Sequence, residues 1–494
     1  MNRFSITHAA VRIGTLIKRI ARAAPVVLVL ATSLQADEYA FVVTTDYYSA
    51  AYYSTIEIAP PRTADVSIAP VSSDPLAHYD VEEDMIFVIN RYLADNIQIV
   101  EPGQGFSTIG QYSVGNGSNP HDIRLASDTK AYVSRYEWKT LLIVHPYTGD
   151  SLGTIDLSPL ADADGIPEMD RMEIVGDRLF VTLNNIDRFT WLPAGAGKIA
   201  VIDTETDTLV DCDPLIPGIQ PIVLALPNPY SELRYDRCRG ELVVGCLGAW
   251  GVMDGGIETV NPVTLKSNGV VITETELGGD IYDGLFAPDG KGYAVVLDPA
   301  PWPDNYGRLV AFDRATRVVT DTLHRQTSGM GASLATIELN RQRELYLCDR
   351  DLTQPGIRIF DTVGDSLITF RDVGIPPFDI AFIQAPMAGT EPIPQPDPDT
   401  RTLVARTYPN PFRQATNIVF TVPGEDSATR VRLSVYDPRG RLVSILVDCS
   451  MPAGTHVAHW DGRDGYGKPV AGGVYFCSIS VDGRRRTFPL IATR

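Results

Sequence analysis

One short phrase recurs seven times through the middle of the chain: an alternating strand that ends on a turn residue. It reads Ile56-Glu57-Ile58-Ala59-Pro60, then Ile97-Gln98-Ile99-Val100-Glu101-Pro102, and returns as Leu142-Ile143-Val144-His145-Pro146 and Ile199-Ala200-Val201-Ile202-Asp203. Three more copies begin at Ile257, Leu309 and Ile357. The turn positions 59, 101, 145, 203, 261, 313 and 361 stand 42 to 58 residues apart. A second strand precedes each phrase, as in Ala131-Tyr132-Val133 or Leu345-Tyr346-Leu347, and an innermost strand such as Asp122-Ile123-Arg124-Leu125-Ala126 comes before that. A polar turn and a fourth strand follow, as in Thr204-Glu205-Thr206-Asp207 before Thr208-Leu209-Val210. A unit of this size cannot bury both faces of its own sheet, so it must stack on its neighbours and the array must close.

Four strands per unit, repeated around a closed ring, predict an all-β seven-bladed β-propeller over residues 39–385. The two ends are complementary. The first unit begins at Tyr39 with a second strand and lacks an innermost one, while Pro377-Phe378-Asp379-Ile380-Ala381-Phe382-Ile383 is an innermost strand with no blade of its own. The late strand is therefore expected to complete the first blade, which a plain β-sandwich would leave unexplained. The stretches Asp283-Gly284-Leu285-Phe286-Ala287-Pro288-Asp289-Gly290-Lys291-Gly292-Tyr293 and Ala200-Val201-Ile202-Asp203-Thr204-Glu205-Thr206 resemble the YVTN-type repeats of seven-bladed bacterial surface propellers. That resemblance implies a fold. Function must come from the site, because such propellers include binding proteins and enzymes alike.

Beyond the ring, Glu391-Pro392-Ile393-Pro394-Gln395-Pro396-Asp397-Pro398-Asp399 predicts an extended, semi-rigid spacer within a linker over 386–403. Residues 404–494 alternate as short strands with turn signals, the pattern of a small Ig-like β-sandwich. Tyr408-Pro409-Asn410-Pro411-Phe412, Tyr436-Asp437, Trp460-Asp461-Gly462 and Gly472-Gly473-Val474-Tyr475-Phe476 resemble the C-terminal sorting domains of type IX secretion cargo. They equally resemble the related Ig-like domain of flagellar hook-capping proteins. The first resemblance implies an export machinery as partner; the second leaves a passive module.

The N-terminus agrees with export. Basic residues (Arg3, Arg12, Lys18, Arg19, Arg22) precede an apolar run that ends at Leu34-Gln35-Ala36, the pattern of a signal peptide over 1–36. The run is too short for a transmembrane segment, which needs roughly 20 residues, and none later is longer. A secreted or cell-surface location follows as the expectation. Acidic residues number 61 and basic ones 42, a net charge of -19. That repels phosphate, so nucleic acid is not an expected partner. Export permits disulfides. Cys449 and Cys477 on two predicted strands could bridge or stay as thiols, and Cys212, Cys238, Cys246 and Cys348 leave their pairing open.

Motifs for serine nucleophiles, zinc-bound helices and phosphate loops are absent from the sequence. Two candidate sites remain. Aligning the units places Asp122, Asp170, Asp283 and Asp379 at one position of the innermost strand, where carboxylates facing the channel would bind a divalent cation such as calcium. The same Asp residues could instead hold backbone N–H groups and fix the blade junctions. His121 precedes Asp122 and is expected near the same mouth. Four of the five Trp fall in successive units between second and third strands: Trp138, Trp191, Trp250 and Trp302. An aromatic rim around an acidic mouth suits a glycan or a protein ligand. The reading is a binding or scaffold protein. The alternative is a metal-dependent, lactonase-like hydrolase that uses the channel carboxylates.

Overall fold

The computed structural model describes residues 38–383, apart from 82, 300–305, 328–333 and 341. It also describes 405–493, apart from 409, 414–415, 423–428, 452–453, 461, 465–469 and 482–483. The signal peptide expected over 1–36, the linker expected over 386–403 and Trp302 lie outside the described residues.

Seven antiparallel sheets follow one another from Glu38 to Ile383. Blade 1 consists, from inside outward, of Pro377–Ile383, Tyr39–Thr45, Ala51–Glu57 and Ala64–Pro70. The closing pair runs Tyr39↔Ile383, Val42↔Ile380 and Thr44↔Pro377, and the Thr45 N–H donates to the Pro376 carbonyl at 2.9 Å. Blade 2 consists of Pro75–Asp80, Met85–Asn90, Asn96–Glu101 and Ser107–Ser113. Pro120–Ser127, Met169–Val175, Arg234–Asp236, Asp280–Phe286 and Leu334–Leu339 are the inner strands of blades 3 to 7. Leu334–Leu339 lies beside Pro377–Ile383, which lies beside Pro75–Asp80, so the last blade meets the first and the ring is shut.

Burial falls from the inside outward, and the sequence follows it. The second strands Met85–Asn90, Arg178–Leu183 and Glu241–Cys246 are buried on both faces, sandwiched between adjacent blades, and are mostly apolar along their length. Outermost strands such as Ser107–Ser113 are half exposed and polar. Blade 4 departs from the pattern. Its outer strand shrinks to Thr208–Leu209, and Ile222–Val223 returns to pair with the same third strand, Lys198–Asp203.

Side chains staple neighbouring blades near their turns. Lys130 Nζ donates to the Thr204 carbonyl at 2.6 Å and to Asp207 at 3.0 Å, and the Tyr132 hydroxyl donates to the same Asp207. Blades 6 and 7 repeat the device: Lys291 reaches Thr362 and Asp365, and the Tyr293 hydroxyl donates to Asp365 at 2.7 Å. The residue between must be glycine in the second copy. A Cβ on Gly292 would sit 2.1 Å from the Phe312 ring.

The C-terminal part is a sandwich. Ala405–Tyr408, Thr416–Val422 and Gly454–Trp460 form one sheet; Leu442–Met451, Thr429–Tyr436, Gly473–Val481 and Arg484–Ala492 form the other. Trp460 is buried between Phe412 and Tyr475, with ring centroids 5.3 and 5.4 Å away, and its indole N–H donates to the Arg463 carbonyl at 2.7 Å. Cys449 pairs opposite Val431 and Cys477 opposite Val435, on either side of the intervening strand. Four residues of strand separate them by about 13 Å, too far for a disulfide. Both are buried and neither can bond to the other, so of the two options left open by the sequence the bridge between them is not the one adopted.

Closure generates a direct expectation. A chain ending at residue 385 keeps the closing strand, and one ending at 375 exposes the inner ladder of blade 1. Unpaired buried ladder groups cost about 1–3 kcal/mol each. The shorter chain should therefore be less stable by at least about 5 kcal/mol or aggregate through its open edge. Equal denaturant midpoints for the two chains would contradict the closure.

Candidate functional site

Inner strands run along the channel, and their first residues set its chemistry. In five blades the inner strand carries a β-bulge at its start: between Pro120 and Asp122, Met169 and Met172, Ile281 and Asp283, Leu334 and Ile337, and opposite Val43/Thr44 in the closing strand. A bulge inserts one unpaired residue and re-aims its side chain. The inserted positions place His121, Tyr282, Thr336 and Phe378 in the lining of one cavity of about 260 Å³. Here the inner strands begin; this mouth is called upper.

Trp191 and Trp250 line that same cavity, 67% and 51% exposed. Trp191 sits in the loop between second and third strands of blade 4, where Ile186–Asp187 and Leu192–Pro193 form a small ribbon of their own. Trp138 occupies the equivalent loop of blade 3 and is 37% exposed; the Arg135 guanidinium lies 4.3 Å from its ring centroid and Gly115 lies under its edge. It does not line the cavity.

The floor of the upper chamber is polar. His121 Nδ1 lies 2.7 Å from Asp170, and its ring stacks on Tyr136 at 4.5 Å. Burial lowers the His121 pKa against the pull of Asp170. Asp170 is itself held below its usual value: burial opposes this, and the His121 contact, Arg171 and Asn184 overcome it. A neutral His121 beside an ionised Asp170 donates from Nδ1, which leaves Nε2 as an acceptor. The Tyr230 and Tyr282 hydroxyls meet at 3.4 Å. Two guanidiniums, Arg91 and Arg350, each lie 5.5 Å from the Phe378 ring centroid.

Arg171 and Glu232, paired at 2.6 Å, line both this chamber and a lower one of about 400 Å³, and so stand between the two. The lower chamber holds His78, Arg124, Glu338 and Asn340. The four aligned Asp residues are divided: Asp170 and Asp283 line the upper chamber, Asp122 and Asp379 the lower. Their oxygens are committed. Asp122 accepts the Ile123 N–H of its own blade at 2.7 Å and the Met172 N–H of the next at 2.8 Å, and pairs with Arg124. Asp283 accepts Gly284 and Ile337 N–H groups and both terminal nitrogens of Arg234. Asp379 accepts the Ala77 N–H of blade 2 at 3.0 Å. Each of these three spans a blade junction, and Asp170 orients His121. Among the described residues no group of three or more His, Cys, Asp and Glu side chains is placed to hold a metal ion.

Sequence reasoning missed the arginines. Arg124, Arg171 and Arg234 come from the inner strands of blades 3, 4 and 5 and neutralise the carboxylates around them; Arg234 also reaches Glu338 at 2.8 Å. Their alternation with acidic residues in Asp122-Ile123-Arg124 and Asp170-Arg171 was the available signal.

Residues 407–484 match the family model of the FlgD Ig-like domain. No curated protein sequence matches the chain. Among solved structures, a functionally unknown protein from Desulfotomaculum acetoxidans is 12% identical with a TM-score of 0.47, over 70% of this chain and 99% of that one. A Bacteroides fragilis protein provisionally named a 6-phosphogluconolactonase is 13% identical with a TM-score of 0.45, over 72% and 99%. PorZ, a surface component of the type-IX secretion system of Porphyromonas gingivalis, is 12% identical with a TM-score of 0.38, over 90% and 63%.

Crowding of carboxylates leaves a titration signature. Glu338 lies deep in the disk, though its side chain keeps 27% of its surface open to the channel. Burial, opposed by Arg234 and reinforced by Asp283 and Glu232, pushes it up to about 7 from 4.5. Its folded pKa thus exceeds the unfolded one. The stability it contributes is present below about pH 4.5 and is lost as pH rises through about 7. Glu338→Gln removes that loss, so the melting temperature of the variant relative to wild type should rise between pH 5 and pH 8. A difference, variant minus wild type, that stays flat or falls as pH rises would reject this assignment.

Proposed function

We propose that the chain is a secreted or cell-surface binding protein. Its propeller takes a glycan at the upper mouth, and its C-terminal sandwich acts as a sorting module of the type IX kind. The observation that carries the ligand reading is the pair of exposed indoles, Trp191 and Trp250, standing over a floor of hydroxyl, imidazole, carboxylate and guanidinium groups. Exposed aromatic surface is costly to keep, and a flat ring beside convergent donors and acceptors matches the two faces of a sugar, one apolar and one hydroxylated. The chamber is smaller than the roughly 300–1,000 Å³ of sites that enclose a whole small molecule. It therefore suits the terminal residue of a larger glycan. The lactonase-like reading has no comparable support, since the carboxylates it would use already serve N–H groups and arginines.

A glycan array with the purified protein should yield a saturable ligand. Trp191→Ala and Trp250→Ala should each weaken it by about 1–3 kcal/mol, the usual effect of losing an aromatic anchor, with the fold intact. Binding indifferent to both changes would remove the upper mouth as the site; a protein captured in its place would change the ligand class.

The sorting reading rests on the FlgD Ig-like match and on the basic, apolar and small-residue order of the N-terminus. Deleting residues 404–494 should leave a propeller that folds and accumulates behind the outer membrane. Unchanged surface delivery of the shortened chain would reject it.

A further inference from the structure

The sandwich touches the propeller on its lower face, away from the tryptophans. A cavity of about 500 Å³ at the contact is lined from the propeller by Tyr235, Arg237, Phe286 and Arg343 and from the sandwich by Arg430 and Asp448. At its edge the tight turn between the first two strands of blade 5 presents Cys238. Asp236 pins that turn: its carboxylate accepts the Cys238 N–H at 2.9 Å and Arg239 at 2.7 Å, and its carbonyl accepts the Gly240 N–H at 2.8 Å. Cys238 packs against the hydrophobic core of the sandwich, of which Cys449 is a member. The Cys449 thiol is close enough to Cys238 to raise its pKa.

We propose that Cys238 and Cys449 form a disulfide that ties the sandwich to blade 5 of the propeller. The other cysteines are placed elsewhere. Cys246 and Cys348 are buried within blades 5 and 7, Cys212 lies in the outer loop of blade 4, and Cys477 is a strand away from Cys449. Cys238 already packs on the core that holds Cys449, so the two sulfurs are brought to the S–S distance of about 2.05 Å by side-chain rotation at the contact. The bond forms by exchange: a thiolate of the pair attacks an incoming disulfide, and the mixed disulfide is then displaced by the second thiolate. Two S–H bonds are lost and one S–S bond is made. The two electrons and two protons leave with the oxidant as a pair of thiols. The oxidant is a small or protein disulfide, of the kind met outside the cytosol. The partner thiol and burial hold Cys238 above the ordinary thiol value, so the exchange is slow at neutral pH and quickens in alkali.

The test uses the full chain, purified reduced and then equilibrated with oxidised glutathione at alkaline pH. Alkylation and non-reducing peptide mapping should recover a Cys238–Cys449 linked pair, with Cys246, Cys348 and Cys477 as thiols. The melting temperature of the oxidised protein should rise, and dithiothreitol should reverse the rise. Cys238→Ser, at a half-buried turn position, should fold and lose both signals. Recovery of Cys238 and Cys449 as alkylated thiols or as glutathione adducts at equilibrium would overturn the proposal, as would linkage of either to another cysteine. The mapping decides even if the variant fails to fold. It is independent of any glycan and of whether the sandwich directs export.

Discussion

One antiparallel pairing, Pro377–Ile383 on Tyr39–Thr45, holds the whole disk together. Every other blade is made from contiguous chain and would form its sheet locally. Among the described residues only this ladder joins strands more than three hundred positions apart, and it converts a row of sheets into a ring. The doubly buried second strands depend on it. A strand such as Met85–Asn90 is apolar on both faces because a neighbour lies on each side, and that holds for all seven blades only when the row has no ends.

A closed ring of sheets leaves an axis that side chains must fill or hydrate. Here the axis is filled with charge. Arg124, Arg171 and Arg234 interleave with Asp122, Asp170, Glu232, Asp283 and Glu338, and Arg171 with Glu232 divides the channel in two. Buried ion pairs of this kind seldom add net stability, because desolvation offsets attraction. What they supply is a fixed direction for each blade, since Asp122, Asp283 and Asp379 also receive an N–H from the next one. The lower chamber is thereby committed to structure. The upper one, where bulges turn His121, Tyr282 and Phe378 inward beneath two indoles, keeps unspent polar groups.

Much of this was legible in the sequence, and the reasons are local. Repeat spacing, the missing first strand and the surplus last one announce the ring without any knowledge of packing. Trp138, Trp191 and Trp250 share a register position and so share an exposed loop position. The Asp column was equally visible, but its partition between two chambers was not. Asp170 falls inside its bulge while Asp122, Asp283 and Asp379 follow theirs, and where a bulge lies depends on the partner strand. Charge pairing across blades was hidden for the same reason. Bridge and separate thiols both stayed open for Cys449 and Cys477 because two strands of one small domain were known, while the strand between them was not placed. Cys238 gave no hint of its neighbour at all, since the contact between the two parts of the chain is written in neither part.

The position of the closing strand at the far end of the ring bears on timing. A chain made from its N-terminus carries blade 1 as three strands with an open inner side until residue 383 has been synthesised. Blades 2 to 7 are complete before then, but blades 1 and 7, at the two ends of the open row, each still lack a neighbour on one flank. Final hardening then coincides with release of nearly the entire propeller, and a chain stalled short of that point would be the species most exposed to proteases and to pairing with its own copies.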